Sequence, residues 1–475
     1  MLSAFFKAEK FGPFIDGEMR IDPKKLKPHH SIALQKTWKE LALADERDIH
    51  QALDASEKGK RALLSLSCYE RSAILRKMAE LLRQHKAPVA EWITLEMGKT
   101  IRDAKAEVEY AANYFDWFAE EGKRILGYTV PSTKGDKYIS IQYEPIGTVV
   151  VITPWNFPIA MAARKVGPAI AAGCASIVRP SSDTPLSMLA IGAIAKEAGL
   201  PAGALGILPG DANTISKILL GDPRVRKLTF TGSTPVGEKL YGQCVSTFKK
   251  ATLELGGHAP ALIFEDADIE RTATETINAK LRVSGQTCVC ANRIFVHKSI
   301  LESYLDTLQK KLSALKIGDP LDEETDLTNV LHPSSAKKIP RQTEDALQKG
   351  ATCILKGDAP HAPTILTNVT EEMEIFTEET FGPVFAILSF ETEEEAIKLA
   401  NNTIYGLAAY VFTRDLSRAH RVCNALEYGI IGLNDGLPTT PQAPFGGVKY
   451  SGFGREGGPH GIHEYLVEKT ISLKL

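Results

Sequence analysis

GTVVVITPWNFPIAMAARKVGPAIAAGCASIVRP, residues 147–180, carries a strand, a helix and a second strand in one unbroken run. GTVVVIT (147–153) is short, apolar and β-branched, the pattern of a strand buried on both faces. Residues 158–172 read as a helix, and ASIVR (175–179) returns to strand composition. The alternation continues with a helix near 185–199, ALGILP (204–209), a helix near 212–220, VRKLTFTG (225–232) and a helix near 235–248, punctuated by Pro201, Gly203 and Gly210. This order predicts an α/β fold with a mostly parallel, doubly wound sheet. Ligands of such sheets bind beyond the carboxyl ends of the strands, so the loops 153–158, 180–184 and 231–237 are expected to converge.

Outward from that core, a second α/β segment starts near Gly256 with strand ALIFE (261–265), a helix from Ile269, strand NRIFVH (292–297) and a helix from Ser299. Residues 70–85 place Ile74, Leu75, Met78, Leu81 and Leu82 at helical spacing, as in an amphipathic packing helix. Residues 129–144 and the C-terminal EKTISLKL read as extended, and either would serve as an edge strand. At 475 residues the chain exceeds one hydrophobic core, so two or three domains are expected.

With 44% hydrophobic and 24% charged residues the composition is that of an ordinary globular protein. A net charge of -2 leaves no basic excess for a nucleic-acid backbone or an anionic membrane surface. The odd count of seven cysteines suits a reducing compartment. The N-terminal segment turns charged at Lys7 and lacks the apolar run of a secretory signal, and no stretch of about 18 apolar residues follows elsewhere. A cytoplasmic location is the resulting expectation.

The strand-to-helix turn FTGSTPVG gives Gly232-x-x-x-x-Gly237, a spacing that lets backbone amides approach a phosphate at a helix N-terminus. Glu238 stands where a P-loop requires lysine, which excludes that class. The three-glycine Rossmann fingerprint is also missing. SGQTCVCAN surrounds Cys288 with small and polar neighbours, as expected for a thiol held in a pocket. A thiol must become thiolate to attack, and positive dipoles and backbone amides assist this. Glu254 in LELGGH ends a strand ahead of two glycines, and Asn156 in ITPWNFP follows the first core strand on the ligand edge. An amide there can donate to a developing oxyanion. Each has a plain alternative: an inert cysteine, a solvated glutamate, a turn asparagine.

ITPWNFP, FTGSTPVG, LELGGH, GQTCVCANR, EETFGPV (378–384) and PFGGVKYSGFGRE (444–456) together resemble the aldehyde dehydrogenase superfamily, in its order and across most of the chain. The resemblance implies Cys288 as nucleophile, Glu254 as general base, and Asn156 with the Cys288 amide as oxyanion hole. It implies Glu379 on the nicotinamide ribose, Phe381 beside the ring, and Thr153, Trp155, Gly232, Ser233 and Gly237 around the dinucleotide. It further implies a cofactor domain of residues 1–122 and 145–253, a catalytic domain of 254–430, and small oligomerisation strands at 123–144 and 457–475 in a homodimer or homotetramer. No metal is required, and His460 and His463 have no further ligands near them in sequence.

The Cys-x-Cys at 288–290 is similar to the succinate-semialdehyde branch of the family, as are Arg164 and Arg282 at positions where that branch binds the substrate's distal carboxylate. Thr439 falls where the branch often has serine. An anionic substrate needs such donors, and arginine offers a bidentate partner. In RPSSDTP (179–185), Arg179 replaces the family's lysine and Ser182 its glutamate. Serine with a nearby arginine leaves room and positive charge for a 2′-phosphate, which favours NADP, with NAD the alternative. Cys290 is either a packed side chain or a partner for Cys288 under oxidation. The competing functions are a glutarate-semialdehyde or broad-specificity enzyme and, outside the family, a cysteine hydrolase, which would leave the cofactor loops unexplained.

Overall fold

The computed structural model describes residues 2–474; Met1, which opens the first segment assigned above, and Leu475, which closes the C-terminal strand, lie outside them. Five parallel strands, β1 (Thr148–Ile152), β2 (Ser176–Arg179), β3 (Leu205–Ile207), β4 (Val225–Thr231) and β5 (Lys250–Glu254), lie side by side in the order β5-β4-β1-β2-β3. Every residue of β1 is buried, which accounts for its unbroken apolar run. Helices Ala160–Ala172, Pro185–Glu197, Ala212–Gly221 and Thr234–Val245 follow β1 to β4 in turn. Their ends are set locally: Gly173 closes the first at φ 92°, Pro185 opens the second, and the Asp211 carboxylate accepts from the Thr214 amide to cap the third. Strand order reverses between β1 and β4, and that switch leaves a crevice above their carboxyl ends. Short antiparallel strands close the edges, with Gly452–Phe453 against β5 and Phe14–Ile15 against β3.

The second sheet has seven strands, with Ala259–Ile263 and Ala291–His297 paired in parallel at its centre and Ile430–Leu433 at one edge. A separate antiparallel sheet joins Tyr128–Val130, Lys137–Pro145 and Leu466–Lys474, the last two paired from Leu466 opposite Pro145 to Lys474 opposite Lys137. The amphipathic pattern at 70–85 is helix Cys68–Gln84, started by a reciprocal Ser67–Glu70 capping box and burying Leu75, Met78, Leu81 and Leu82. Ile74 is only partly buried. Among the described residues no helix is long and apolar enough to cross a membrane. The segment 431–456, outside the sequence-based division, leaves the edge of the second sheet and adds Gly452–Phe453 to the first, so it ties the two together.

Candidate active site

A cavity of about 520 Å³ opens between the two sheets, and Trp155, Asn156, Arg164, Gly232, Ser233, Arg282, Cys288, Glu379, Phe381 and Thr439 all line it. The loops after β1 and β4 therefore meet at the switch point. Thr153, Arg179, Ser182, Gly237 and Glu254 stand behind or beside this lining rather than on it.

Cys288 follows a tight turn in which Val283, Ser284 and Gly285 are all left-handed, at φ 52°, 54° and 78°. Two non-glycine residues in that region cost energy, and such strain is kept where it presents a functional side chain. The turn is wedged from below by Gly257, where a Cβ would stand 2.1 Å from the Cys288 carbonyl oxygen; only glycine fits. The thiol is pushed up to about 12, first by burial, with Glu379 and Glu254 adding to the rise and Arg164 opposing it. At neutral pH it rests protonated. Cys290 is a free, buried thiol that donates to the Lys280 carbonyl at 3.3 Å.

Asn156 is nearly buried; its Nδ2 donates to the Gln286 carbonyl at 2.8 Å, and one amide hydrogen remains for the cavity. The loop is held by a buried pair that sequence reading missed. Lys99 Nζ donates to the Asn156 carbonyl at 2.6 Å and to Glu107 at 2.7 Å, and Glu107 in turn accepts from the amides of Ile159 and Ala160. Glu107 thus satisfies free amides at the entry to the helix that follows.

Glu254 ends β5, fully buried, with neither carboxyl oxygen hydrogen-bonded. Burial, then the nearby charge of Glu456, raise its pKa well above the usual carboxylate range. Glu456 shows the opposite balance: burial alone would raise it, but Lys165 and Arg164 outweigh that and hold it low. Arg164 donates to Glu456 at 2.5 Å and stacks its guanidinium 4.0 Å from the Phe445 ring; Lys165 pairs with the other carboxylate oxygen. Arg282 differs: it lies 4.9 Å from the Phe157 ring and 5.7 Å from the Tyr110 ring, and it has no ion-pair partner among the described residues.

On the other side of the cavity, helix Thr234–Val245 begins beside Ser233, whose hydroxyl makes no capping bond and leaves the first amides free. A Cβ at Gly237 would stand 2.3 Å from Leu255, so this glycine serves the packing of that helix on the strand end. Glu379 accepts from the Gly257 amide at 3.0 Å and is pushed up to about 7 by burial. Trp155 stacks on His332 at 4.0 Å and meets Phe381 edge-on at 5.7 Å. His332 also bonds Asp183 at 3.3 Å. Arg179 donates to Ser182 at 2.8 Å and to the Gly210 carbonyl, while its buried Nε has no partner.

The model of the aldehyde dehydrogenase family matches residues 22–471. The chain is 44% identical over 430 residues to the succinate-semialdehyde dehydrogenase [NADP(+)] of Escherichia coli, covering 89% of each chain. It is 43% identical over 432 residues to the glutarate-semialdehyde dehydrogenase of Pseudomonas putida, covering 90% of each. A solved structure described as an Escherichia coli NADP-dependent enzyme superposes with a TM-score of 0.97 at 40% identity, covering 100% of this chain and 99% of that one. Similar to these proteins along nearly its whole length, the chain belongs to the aldehyde dehydrogenase family.

Proposed function

We propose that this protein oxidises succinate semialdehyde to succinate with NADP, using Cys288 as nucleophile, Asn156 as oxyanion donor and Glu254 as general base. The observation that carries the substrate class is Arg282, a half-buried guanidinium at the cavity wall with aromatic rings beneath it and no carboxylate beside it. A cation withdrawn from water without a counter-ion is costly, and a substrate carboxylate supplies one. Thr439 and Arg164 share that wall.

The Cys288 sulfur, once deprotonated, adds to the aldehyde carbon, and Asn156 Nδ2 with the Cys288 amide stabilises the oxyanion. When bound, the nicotinamide supplies the acceptor for the hydride that leaves this carbon. Glu254 then takes a proton from the water that attacks the Cys288 thioester, releasing the carboxylate and the thiol. The dinucleotide fits what is present: free amides at the start of helix Thr234–Val245 for phosphate, Glu379 for ribose, and the unpartnered Arg179 Nε beside Ser182 for a 2′-phosphate. Trp155, Phe381, Thr153, Gly232, Ser233 and Gly237 complete the cradle in this reading.

Arg282→Ala is the direct test. It is expected to cut kcat/KM for succinate semialdehyde about a hundredfold, as lost charge-assisted hydrogen bonds would, while propanal stays within a few-fold. Equal losses for the two aldehydes would overturn the substrate class. For the cofactor, kcat/KM for NADP is expected to exceed that for NAD at least tenfold, on the order of one charge-assisted bond; a clear NAD preference would refute it. Glutarate semialdehyde is the second reading, favoured by an outer cavity of about 690 Å³ that meets the first at Tyr110, Arg282 and Thr439 and gives a longer chain room.

We further assign the protein to the cytoplasm and to a homodimer or homotetramer built through the strands Tyr128–Val130, Lys137–Pro145 and Leu466–Lys474, which leave Tyr128, Tyr138, Val467, Ile471 and Leu473 exposed.

A further inference from the structure

Tyr110 and Tyr114 stand one turn apart on helix Ile101–Glu121, with hydroxyls 3.0 Å apart and ring centroids at 4.9 Å. Tyr114 is fully buried, and the Tyr110 hydroxyl is its hydrogen-bond partner among the described residues. The Tyr114 proton needs an acceptor, because a buried O–H left unpaired is costly. The Tyr110 oxygen is the hydroxyl partner within hydrogen-bonding distance. The Tyr114 O–H therefore donates to the Tyr110 oxygen.

That polarity frees the proton of Tyr110. It is not spent on Tyr114, and no other protein acceptor for it occurs among the described residues. Tyr110 lines both the inner and the outer cavity, and its ring lies 5.7 Å from the Arg282 guanidinium. We propose that the Tyr110 hydroxyl is a donor that positions the anionic end of the substrate beside Arg282, its direction set by the buried Tyr114 hydroxyl. The sequence hides this, since two tyrosines at i and i+4 read as core packing.

The inference rests on the reading of a semialdehyde with a carboxylate tail, and the experiment separates the two. Wild type and Tyr110→Phe are compared on succinate semialdehyde and on butanal, which has the same chain length without the charge. Tyr110→Phe is expected to raise KM for succinate semialdehyde about tenfold, the weight of one hydrogen bond to a charged group, with kcat within about twofold and butanal unchanged. The affinity for succinate, read by calorimetry on the NADP-loaded protein, is expected to fall by the same factor. Tyr114→Phe, which leaves the Tyr110 donor but not its direction, should give a smaller loss in the same sense. An unchanged ratio of the two substrates in Tyr110→Phe, equal losses on both, or a collapse of its thermal melt would overturn the role of Tyr110. A wild type that does not prefer succinate semialdehyde to butanal would overturn the substrate class itself.

Discussion

Glu254 and Glu456 sit in one buried cluster, and the difference between them is partners: Glu456 holds Arg164 and Lys165, whereas Glu254 holds none. A base must be ionised to act, and a carboxyl whose pKa is raised becomes ionised only as pH climbs, so the activity limb governed by Glu254 rises above the usual carboxylate range. Glu456→Gln removes the charge that raises Glu254 and leaves two cations facing it, so this limb should move to lower pH in a kcat profile; an unmoved limb would detach Glu254 from it. Cys288 gives a second test. With its thiol pushed up to about 12, alkylation by iodoacetamide should climb about tenfold per pH unit from pH 6 to pH 9 without a plateau. A plateau below pH 8 would show a thiol activated at rest. Cys288, Asn156 and Glu254 were singled out in the sequence through the order of the motifs GQTCVCAN, ITPWNFP and LELGGH and their resemblance to a family, since taken alone each has a plain alternative. The ionisation of Cys288 and Glu254 was not legible there, because it depends on burial and on charges remote in the chain, such as Glu456 for Glu254 and Arg164 for Cys288.

Two loops and a helix entry are held in place by elements that carry no chemistry. The pair Lys99–Glu107 fastens ITPWNFP and the start of helix Ala160–Ala172. Breaking a buried pair from one side leaves an uncompensated charge, so Glu107→Gln is expected to cost about 3–5 kcal/mol, seen as a lowered denaturation midpoint, together with a loss of kcat as Asn156 drifts. Gly257→Ala should leave the far-UV circular dichroism intact but suppress turnover, since a Cβ 2.1 Å from the Cys288 carbonyl forces the nucleophile turn to move. The strands and helices around 147–248 were readable because buried strands and amphipathic helices carry their own periodicity. The roles of Lys99 and Glu107 were not, since charged residues at helical spacing look like a solvated face until a second helix covers them.

At the level of the whole molecule, three sheets are joined by segments distant in sequence. Residues 431–456 connect the second sheet to β5, and Leu466–Lys474 pairs with Lys137–Pro145 across more than 300 positions. An antiparallel sheet whose outer strands pair on one side only, with exposed apolar side chains, favours pairing with another chain. Deleting residues 466–475 should therefore shift the protein from dimer or tetramer toward monomer in size-exclusion chromatography with light scattering; unchanged mass would refute the proposed oligomer strands. What the sequence by itself determined is the parallel core and the ligand edge at the carboxyl ends of its strands, because the periodicity of buried strands and amphipathic helices is a property of neighbours in the chain. Only the tertiary structure decided which charges remain unpaired. Arg164 and Arg282 look alike as residues in a sequence, yet one is bound to Glu456 and the other faces the cavity without a counter-ion. A side chain's availability depends on what folding places beside it, and that is set by contacts across hundreds of residues.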